Sequence, residues 1–296
     1  MLPGRYLMRV ATVALPVIGV YERPDEDSPL VTQALHGSSV VLMEEGEWCW
    51  GLVGDGSCGW FRRSWLCKPD LPRGRAVVVA TPQARVLCSG IPTGFGLFMG
   101  TELFVLEDDS DWYWVATRSG LKGWISKEAV SPVPGLRPAG GISASAAAQL
   151  FLGVPYLWGG VTFKGIDCSG LSHLCYLVGG CRIARDARDQ YLAGQPVGIA
   201  ELEPGDLVFF STTAPGASHV GIYTENGEFI NARSREGVCV SALEEPYFKD
   251  RYLGARRYFF LEFRSQKTEF RIEKTEDRIQ KSESRNVEYR IIEGRR

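Results

Sequence analysis

The first half of the chain is a succession of short apolar segments broken by turn residues. β-Branched and aromatic residues cluster in runs such as Val40-Val41-Leu42 and Phe104-Val105-Leu106, and Gly, Asp and Ser separate the runs. Segments of this length and composition are typical of strands joined by tight turns. We therefore predict compact β structure rather than helices for roughly residues 8–131.

The same half contains an internal repeat. Trp48 and Trp60 are 12 residues apart, and Trp112 and Trp124 repeat this pair with an offset of 64 residues. A repeat of this length indicates two copies of one small domain. We expect the tryptophans to form the cores of these domains. The alternative is that some of them line a ligand groove, as aromatic side chains on small barrels often do.

Two of these strands carry a family resemblance. Trp112-Tyr113-Trp114-Val115 and Gly123-Trp124-Ile125 resemble strands of the bacterial SH3-like domain. The resemblance covers roughly residues 8–131 and implies two small β barrels in tandem.

The pattern changes in the second half of the chain. Residues 132–141 are dense in Pro and Gly, which indicates a linker. Ser143 precedes an Ala-rich segment, so we predict a helix with Ser143 at its N-cap. Leu171–Val178 predicts a buried helix, and Asp206–Phe210 and Val220–Tyr223 predict buried strands. This half is therefore predicted to mix helices and strands.

The last segment of the chain differs from both halves. Half of residues 265–296 are Asp, Glu, Lys or Arg, and the two signs alternate. This composition predicts a mobile charged tail or an exposed helix, with a partner-binding or anchoring role as a further option. The predicted boundaries are two barrels at 8–70 and 71–131, a linker at 132–141, a third domain at 142–263 and a tail at 264–296.

Overall composition narrows the classes of partner. Hydrophobic residues make up 45% of the chain, charged residues 23%, and the formal net charge is -2. These values are ordinary for soluble globular proteins and provide no general attraction to nucleic acid or anionic membranes. No apolar run approaches the roughly 18 to 20 residues needed to span a bilayer. We expect a monomer with no nucleic-acid partner and no membrane span.

The N-terminus has some features of an export signal. Arg5 and Arg9 precede the apolar run 10–20, but Pro16 interrupts this run and no small-x-small cleavage site follows it. The run also fits the first strand of a β domain. We therefore expect a cytoplasmic protein, with export to the periplasm or cell surface as the alternative.

Cysteine spacing argues against a metal or a disulfide scaffold. The chain has eight cysteines and none forms a Cys-x-x-Cys pair, so a zinc site is not predicted. We expect most of them to be buried or free thiols. A Cys49–Cys58 bridge across a hairpin is the alternative for an exported protein. We predict no metal and no organic cofactor.

Three residues of the second half have the types that nucleophilic catalysis needs. Cys168 precedes the predicted helix 171–178, where unpaired N–H groups and the helix dipole favour a thiolate and lower a thiol pKa. His219 is the candidate base, and an Asn231 oxygen could accept from its ring and fix the tautomer. His173 is a poor competitor, because it lies five residues after Cys168 and so points about 140° away around the helix.

His219 and Asn231 can interact only if the connection between their strands meets a geometric condition. They lie on two strands that Asn226-Gly227 is predicted to join as a hairpin. Because side chains alternate between the faces of a strand, the two residues share a face only if the connection has an odd number of residues. A two-residue turn at Asn226-Gly227 would separate them.

Five motifs in order resemble the catalytic domain of the NlpC/P60 peptidases. They are Pro155–Gly160, Asp167-Cys168-Ser169-Gly170, Arg185-Asp186, Pro204–Leu207 and His219–Tyr223. The resemblance implies an α+β fold, in which a papain-like catalytic domain follows the two SH3-like barrels. It also implies that Cys168 is the nucleophile, His219 the general base and Asn231 the third polar residue, a position where many members carry His. Tyr156 matches the tyrosine that helps to hold the oxyanion.

The order of the domains resembles that of γ-D-glutamyl-diamino-acid endopeptidases acting on peptides with a free N-terminal L-alanine. The resemblance implies that Asp186 and Ser169 hold the substrate amine and that the first SH3-like domain closes one end of the cleft. An ion pair of Asp186 with Arg185 or Arg188 is the alternative. Further candidates for substrate binding are Trp158, Ser218 and Asp167, and candidates for the wall of the cleft are Trp48, Trp60 and Asp55.

These observations predict a bacterial cysteine endopeptidase of cell-wall stem peptides. The expected partner is a small murein peptide, L-Ala-γ-D-Glu-diamino acid, which is cut after D-Glu through a Cys168 thioester. Alternatives are a cell-wall amidase or acyltransferase of the same fold, and a peptidoglycan-binding protein. The incomplete export signal favours recycling of wall fragments over remodelling of the intact wall.

Overall fold

The computed structural model describes residues 9–88, 91–92, 96–133 and 143–258. Most of the predicted linker and the whole predicted tail, 264–296, lie outside these residues. Within the described ranges, no helix is both long enough and apolar enough to cross a bilayer.

An antiparallel sheet is formed by residues 9–67, with the strand order β3-β2-β6-β5-β4-β1-β7. Its core contains Val13, Val20, Val40, Cys49 and Phe61, all fully buried. The strands are β1 (Arg9–Val13), β2 (Val17–Tyr21), β3 (Leu30–Leu35), β4 (Ser39–Glu44), β5 (Trp48–Leu52), β6 (Cys58–Arg62) and β7 (Leu66–Cys67).

A second sheet and a small two-stranded sheet follow. The larger one has the strand order β11-β10-β15-β14-β13-β8-β16, and β9 pairs with β12. The strands are β8 (Arg75–Val79), β9 (Gln83–Ala84), β10 (Leu87–Cys88), β11 (Ile91–Pro92), β12 (Leu97–Phe98), β13 (Glu102–Asp108), β14 (Trp112–Ala116), β15 (Lys122–Ser126) and β16 (Val130–Pro132).

The register of the two larger sheets confirms the internal repeat. Trp50 pairs with Trp60 across β5 and β6, and Trp114 pairs with Trp124 across β14 and β15. The two pairs are again offset by 64 residues. Their ring centroids lie 5.5 and 5.3 Å apart. The same cross-strand aromatic contact therefore stabilises both copies of the domain.

The expectation that the tryptophans form the barrel cores is wrong. None of the eight tryptophans is buried. The core positions belong to neighbours that point the other way, such as Cys49, Phe61, Val115 and Ile125. The physical reason is the alternation of side chains along a strand, because the residues on either side of a tryptophan face the core and the tryptophan therefore faces the other way.

The Cys49–Cys58 bridge is also excluded by the register. Cys49 pairs with Phe61, and Cys58 pairs with Leu52. The two cysteines therefore point to opposite faces of the sheet, and both are free thiols. A disulfide requires Cβ atoms that face each other at about 4 Å.

Residues 143–258, the described third part of the chain, contain four α-helices and a six-stranded sheet with the order β19-β24-β20-β21-β22-β23. The helices are α1 (Ala144–Gln149), α2 (Cys168–Val178), α3 (Ala187–Ala193) and α4 (Pro246–Lys249). The strands are the hairpin β17 (Val161–Thr162) and β18 (Gly165–Ile166), then β19 (Gln195–Val197), β20 (Leu207–Phe210), β21 (His219–Tyr223), β22 (Glu228–Arg233), β23 (Gly237–Ala242) and β24 (Tyr252–Arg257).

The predicted elements of this part are present. Ser143 caps α1, because its hydroxyl accepts the N–H of Ala146. Helix α2 is buried along almost its whole length and packs on the central strands β21 and β22. All four residues of β20 are buried. A buried helix beneath an antiparallel sheet is the α+β arrangement that the sequence predicted.

The first sheet contacts the third part of the chain directly. The Gln33 side chain accepts the N–H of Val161 at 3.0 Å. Gly159 has a φ of +73°, and a Cβ built there would lie 2.8 Å from the Leu30 carbonyl oxygen. Only glycine tolerates both this backbone conformation and so close a neighbour. The motif segment 155–160 is therefore pressed against the first SH3-like sheet.

Candidate active site

Cys168 is the first residue of α2, and Asp167 is its N-cap. The Asp167 carboxylate accepts the N–H of Gly170 at 2.6 Å and the N–H of Gly159 at 2.8 Å. These two bonds tie the start of α2 to the glycine-rich segment before it. The Cys168 thiol is buried, α2 packs on β21, and the backbone N–H of Val220, the residue that follows His219, favours the charged form of the thiol. The nucleophile candidate therefore lies against β21.

The surroundings of Cys168 do not lower its thiol pKa, contrary to the expectation from the helix terminus. Burial, and then the negative charge of Asp167, raise the pKa of Cys168 to about 12. The N–H groups of Val220 and Ser169 and the charge of Arg185 oppose this shift without cancelling it. The resting thiol is therefore protonated, and attack on a carbonyl requires a base that removes the proton.

His219 and Asn231 lie on the same face of the sheet. Tyr223 pairs with Phe229, so residues 224–228 connect the two strands. This is an odd number of residues, which is the condition for His219 and Asn231 to share a face. Asn226 and Gly227 both have positive φ angles, but they lie inside this longer connection. The His219 Nε2 atom is 2.9 Å from the Asn231 Oδ1 atom. Asn231 is completely buried.

The Asn231 amide fixes the His219 tautomer. Its Nδ2 atom donates to the Ser241 Oγ atom at 2.9 Å and to the Cys239 carbonyl at 3.4 Å. This assigns Oδ1 as the atom facing His219, so Nε2 carries the proton and Nδ1 is the free base. Burial lowers the pKa of His219, and the bond from Asn231 partly opposes the shift. The imidazole is therefore neutral and able to accept a proton.

The pH dependence of turnover should report the ionisation of His219 beside Asn231. Because burial lowers the pKa of His219 from 6.5, we expect kcat/KM to fall on the acid side with a midpoint below that value. Asn231→Ala removes a bond that raises the pKa, so the midpoint should move further down, and kcat should fall about 100-fold. Asn231→Asp places a charge beside the ring, so the midpoint should move up. Profiles from about pH 4 to 8 that move in the same direction for both variants would contradict this assignment.

Tyr156 and Trp158 lie in the segment before the nucleophile. Tyr156 bridges to Ile166, next to Asp167. Burial, and then the charges of Cys168 and Asp167, raise the pKa of Tyr156, so its hydroxyl remains protonated and can donate a hydrogen bond near the thiol. Trp158 is 64% exposed, which leaves its ring available at the surface. The roles of both residues stay predictions.

Arg185 is a residue whose importance the sequence did not reveal. It is buried, and its guanidinium donates to both Asp167 carboxylate oxygens, at 3.0 and 2.7 Å. It also donates to the Ser169 hydroxyl at 3.0 Å, and that hydroxyl donates to Asp167 at 3.3 Å. The Arg-Asp motif was the available signal, but nothing in that motif indicated that the arginine would reach back to the residue before Cys168.

Asp186 is free of the ion pair that the sequence left open. Within the described residues, its carboxylate has neither a salt bridge nor a hydrogen bond, and it is accessible to solvent. Arg185 pairs with Asp167 instead. Partial burial raises the pKa of Asp186, and the positive charge of Arg185 opposes this shift. The negative charges of Asp189, Asp167 and Asp55 add to it. An ammonium group would relieve this repulsion.

The remaining candidates have structural partners. Both Asp167 oxygens are occupied by backbone N–H groups and Arg185, so its contacts favour support of the site over contact with a substrate. The Ser218 hydroxyl accepts the N–H groups of Thr212, Thr213 and Ala214 and so shapes the loop before His219. His173 points elsewhere, with Nδ1 2.9 Å from the Ile183 carbonyl. Among the residues described, no cluster of His, Cys, Asp and Glu could hold a metal ion.

A buried thiol at the start of a helix, beside a His–Asn pair on an antiparallel sheet, defines the class of papain-like cysteine peptidases. Comparison with known proteins narrows this class. Residues 153–257 match the model of the NlpC/P60 family, and residues 20–66 match the bacterial dipeptidyl-peptidase Sh3 domain. This chain belongs to the NlpC/P60 family of cysteine peptidases.

Three known proteins illustrate the relationship. The gamma-D-glutamyl-L-lysine dipeptidyl-peptidase of Bacillus subtilis (strain 168) is 30% identical over 246 residues, which cover 79% of this chain and 82% of that protein. The gamma-DL-glutamyl hydrolase of the same organism is 36% identical over 149 residues, which cover 49% of this chain but only 34% of that protein. The crystal structure of an NlpC/P60 family protein from Bacillus cereus ATCC 10987 superposes with a TM-score of 0.74 at 24% identity, covering 84% of this chain and 99% of the other.

Proposed function

We propose that this protein hydrolyses the bond between γ-D-glutamate and the following diamino acid in stem peptides with a free N-terminal L-alanine. The observation that carries the proposal is the unpaired, solvent-accessible carboxylate of Asp186, which directly follows Arg185, the residue that contacts Thr32 and Asp55 of the first SH3-like domain. A free anion next to a residue that contacts another domain suits an ammonium, and in the proposed complex that domain would leave little room for a longer N-terminal chain. The B. subtilis relative named for the γ-D-glutamyl-L-lysine bond supports the same substrate class.

The proposed reaction begins with attack of the Cys168 sulfur on the γ-carbonyl carbon of D-glutamate. The thiol proton moves to Nδ1 of His219 as the carbon–sulfur bond forms. The Tyr156 hydroxyl donates to the oxygen that becomes negative. His219 then returns its proton to the amine of the leaving diamino acid as the carbon–nitrogen bond breaks. A thioester between Cys168 and L-Ala-D-Glu remains.

Water completes the cycle. His219 accepts a proton from the water that attacks the thioester, and the same proton is returned to the Cys168 sulfur as L-Ala-D-Glu leaves. The protonated resting thiol and the neutral His219 fit this scheme, because each step moves one proton to or from His219 and the first proton comes from the Cys168 thiol. In the proposed scheme Asn231 keeps the ring oriented throughout.

A product assay tests the proposal. L-Ala-γ-D-Glu-diamino acid should release the free diamino acid, and the N-acetylated peptide should release little or none. Both lysine and diaminopimelate forms should be compared. Equal cleavage of the acetylated peptide would retain the peptidase but exclude amine recognition. Cleavage of neither form would instead support the amidase, acyltransferase or peptidoglycan-binding alternatives.

Asp186→Asn should isolate the amine contact. The substitution keeps the shape of the side chain and removes its charge, so we expect KM for the free peptide to rise about 10- to 100-fold with a smaller change in kcat. Cleavage of the acetylated peptide should not decrease. Asp189→Asn is the matched control, because Asp189 is an exposed carboxylate on the same helix. An equal rise in KM for both variants would show a general charge effect and contradict the specific contact.

A further inference from the structure

A chain of hydrogen bonds connects the first SH3-like sheet to Arg185. The Arg185 Nε atom donates to the Thr32 Oγ1 atom at 3.1 Å, and the Thr32 hydroxyl donates to the Asp55 Oδ2 atom at 2.7 Å. Thr32 lies on β3 and is completely buried. Asp55 also accepts the N–H of Ser57 at 2.8 Å, which fixes the turn that carries it. An arginine can only donate and a carboxylate can only accept, so the direction of each hydrogen bond in this series is fixed.

The other side of the same guanidinium holds the nucleophile segment. Nη1 donates to Asp167 and to Ser169, and Nη2 donates to Asp167 and, at 3.5 Å, to the Gly160 carbonyl. Every nitrogen of Arg185 thus has a partner, and the planar group is held in one orientation. The residues on either side of Cys168 are in contact with a cation that the first domain fixes.

Arg185 has an alternative partner that it does not use. Asp186 is the next residue in the chain, and its carboxylate has no hydrogen-bond or ion-pair partner among the described residues. The charge of Arg185 opposes the rise in the pKa of Asp186. Asp55 lies 4.0 Å from Arg185 on the side of Thr32 and contributes a second negative charge there. An arginine released from this side would be attracted to Asp186 and would neutralise the carboxylate that the proposed function requires to be free.

We propose that Thr32 and Asp55 are positioning residues of the peptidase site. By holding the Nε side of Arg185, they keep the guanidinium on Asp167 and Ser169 and keep Asp186 available to the substrate amine. The part concerning Asp186 rests on the proposed function, whereas the part concerning Cys168 does not. The first SH3-like domain then acts on substrate affinity and on the nucleophile without itself touching the reacting atoms.

The test compares Thr32→Val, Thr32→Ser and Asp55→Asn in the full chain. Valine keeps the shape of threonine and its preference for strands but leaves the Nε–H group without an acceptor. Serine keeps the hydroxyl. Asparagine keeps an oxygen for Thr32 but removes the charge of Asp55. For each variant we would measure kcat and KM on the free peptide, the melting temperature, and the pH dependence of Cys168 alkylation by iodoacetamide, followed by mass spectrometry of the peptide that contains Cys168.

We expect Thr32→Val to raise KM about tenfold and to shift Cys168 alkylation to higher pH, because Arg185 no longer lowers the thiol pKa from its present position. Thr32→Ser should keep both KM and the alkylation profile close to those of the wild type. Asp55→Asn should give values between those of the wild type and those of Thr32→Val. A folded Thr32→Val protein with wild-type KM and a wild-type alkylation profile would overturn the inference. If valine destabilises the chain too far to measure, a wild-type result for Asp55→Asn would overturn it equally.

The alkylation measurement separates this inference from the proposed substrate. A wild-type protein that cuts no stem peptide, together with a profile that shifts in Thr32→Val and returns in Thr32→Ser, would reject the substrate and support the positioning role. A wild-type protein that cuts the peptide, with no difference among the three variants, would support the substrate and reject the positioning role. A purely structural hydrogen bond would change the melting temperature alone.

Discussion

Cys168→Ala should reduce kcat by about 10⁵-fold, the largest loss of activity we expect from a single substitution. The proposed reaction has no other group that could form the thioester. The thiol is small, so its replacement removes one sulfur atom from a buried site and should leave the fold in place. Peptide binding should persist, because the proposed contacts of the amine and the oxyanion lie on other residues. Kinetics, calorimetric titration of the peptide and a melting curve together measure these three expectations.

Cys181→Ala is the matched control for this experiment. Cys181 is a free, partly buried thiol in the same domain, after the end of α2. Its loss should leave kcat and KM near their wild-type values. Turnover by Cys168→Ala at more than about a thousandth of the wild-type rate would falsify the assignment of the nucleophile. Equal losses in both variants would point to an effect on folding instead.

Arg185→Met should produce the largest loss of stability, about 3 to 5 kcal/mol. The substitution leaves the Asp167 carboxylate buried without its cation, and it leaves Thr32 without its partner from the third domain. Removing one member of a buried ion pair costs more than the pair contributes, because the remaining charge stays desolvated. Urea titration followed by tryptophan fluorescence and circular dichroism would measure the change.

Two further variants identify the cause of that loss. Arg233→Met removes an arginine that pairs with Glu236 and Glu245 at the surface, so it should cost less than about 1 kcal/mol. Asp167→Asn combined with Arg185→Met removes both charges and should recover part of the stability lost in the single variant. A double variant less stable than the sum of the two single changes would contradict the unpaired-charge explanation. Activity should not recover, since Ser169 and the start of α2 lose their support.

Local patterns in the sequence predicted most of the fold. The Trp pairs at an offset of 64 residues indicated two copies of one β domain, and the register of β5–β6 and β14–β15 shows the same pairing in both. The Ser143 cap, the helix from Cys168 and the buried strand β20 follow from capping chemistry and apolar runs. These features depend on neighbours in the chain, which is why a sequence can reveal them.

Predictions that depended on the environment of a side chain were less successful. The tryptophans were expected inside the barrels, but the sequence pattern alone did not say which face of each strand is the inner one. The thiol of Cys168 was expected to have a lowered pKa, yet burial and Asp167 raise it. Burial and the charge of a neighbour are sums over the whole surroundings, and a helix terminus is only one contribution to them.

The sequence by itself determined the class of domains, the identities of Cys168, His219 and Asn231 as candidates, and the condition under which His219 and Asn231 share a face. Only the tertiary structure decided that the connection after Tyr223 meets this condition and that Arg185 pairs with Asp167 and not with Asp186. It alone brought Thr32 and Asp55 to the same guanidinium. Residues more than a hundred positions apart meet there because two domains pack together, and such long-range contacts leave no periodic pattern in the chain.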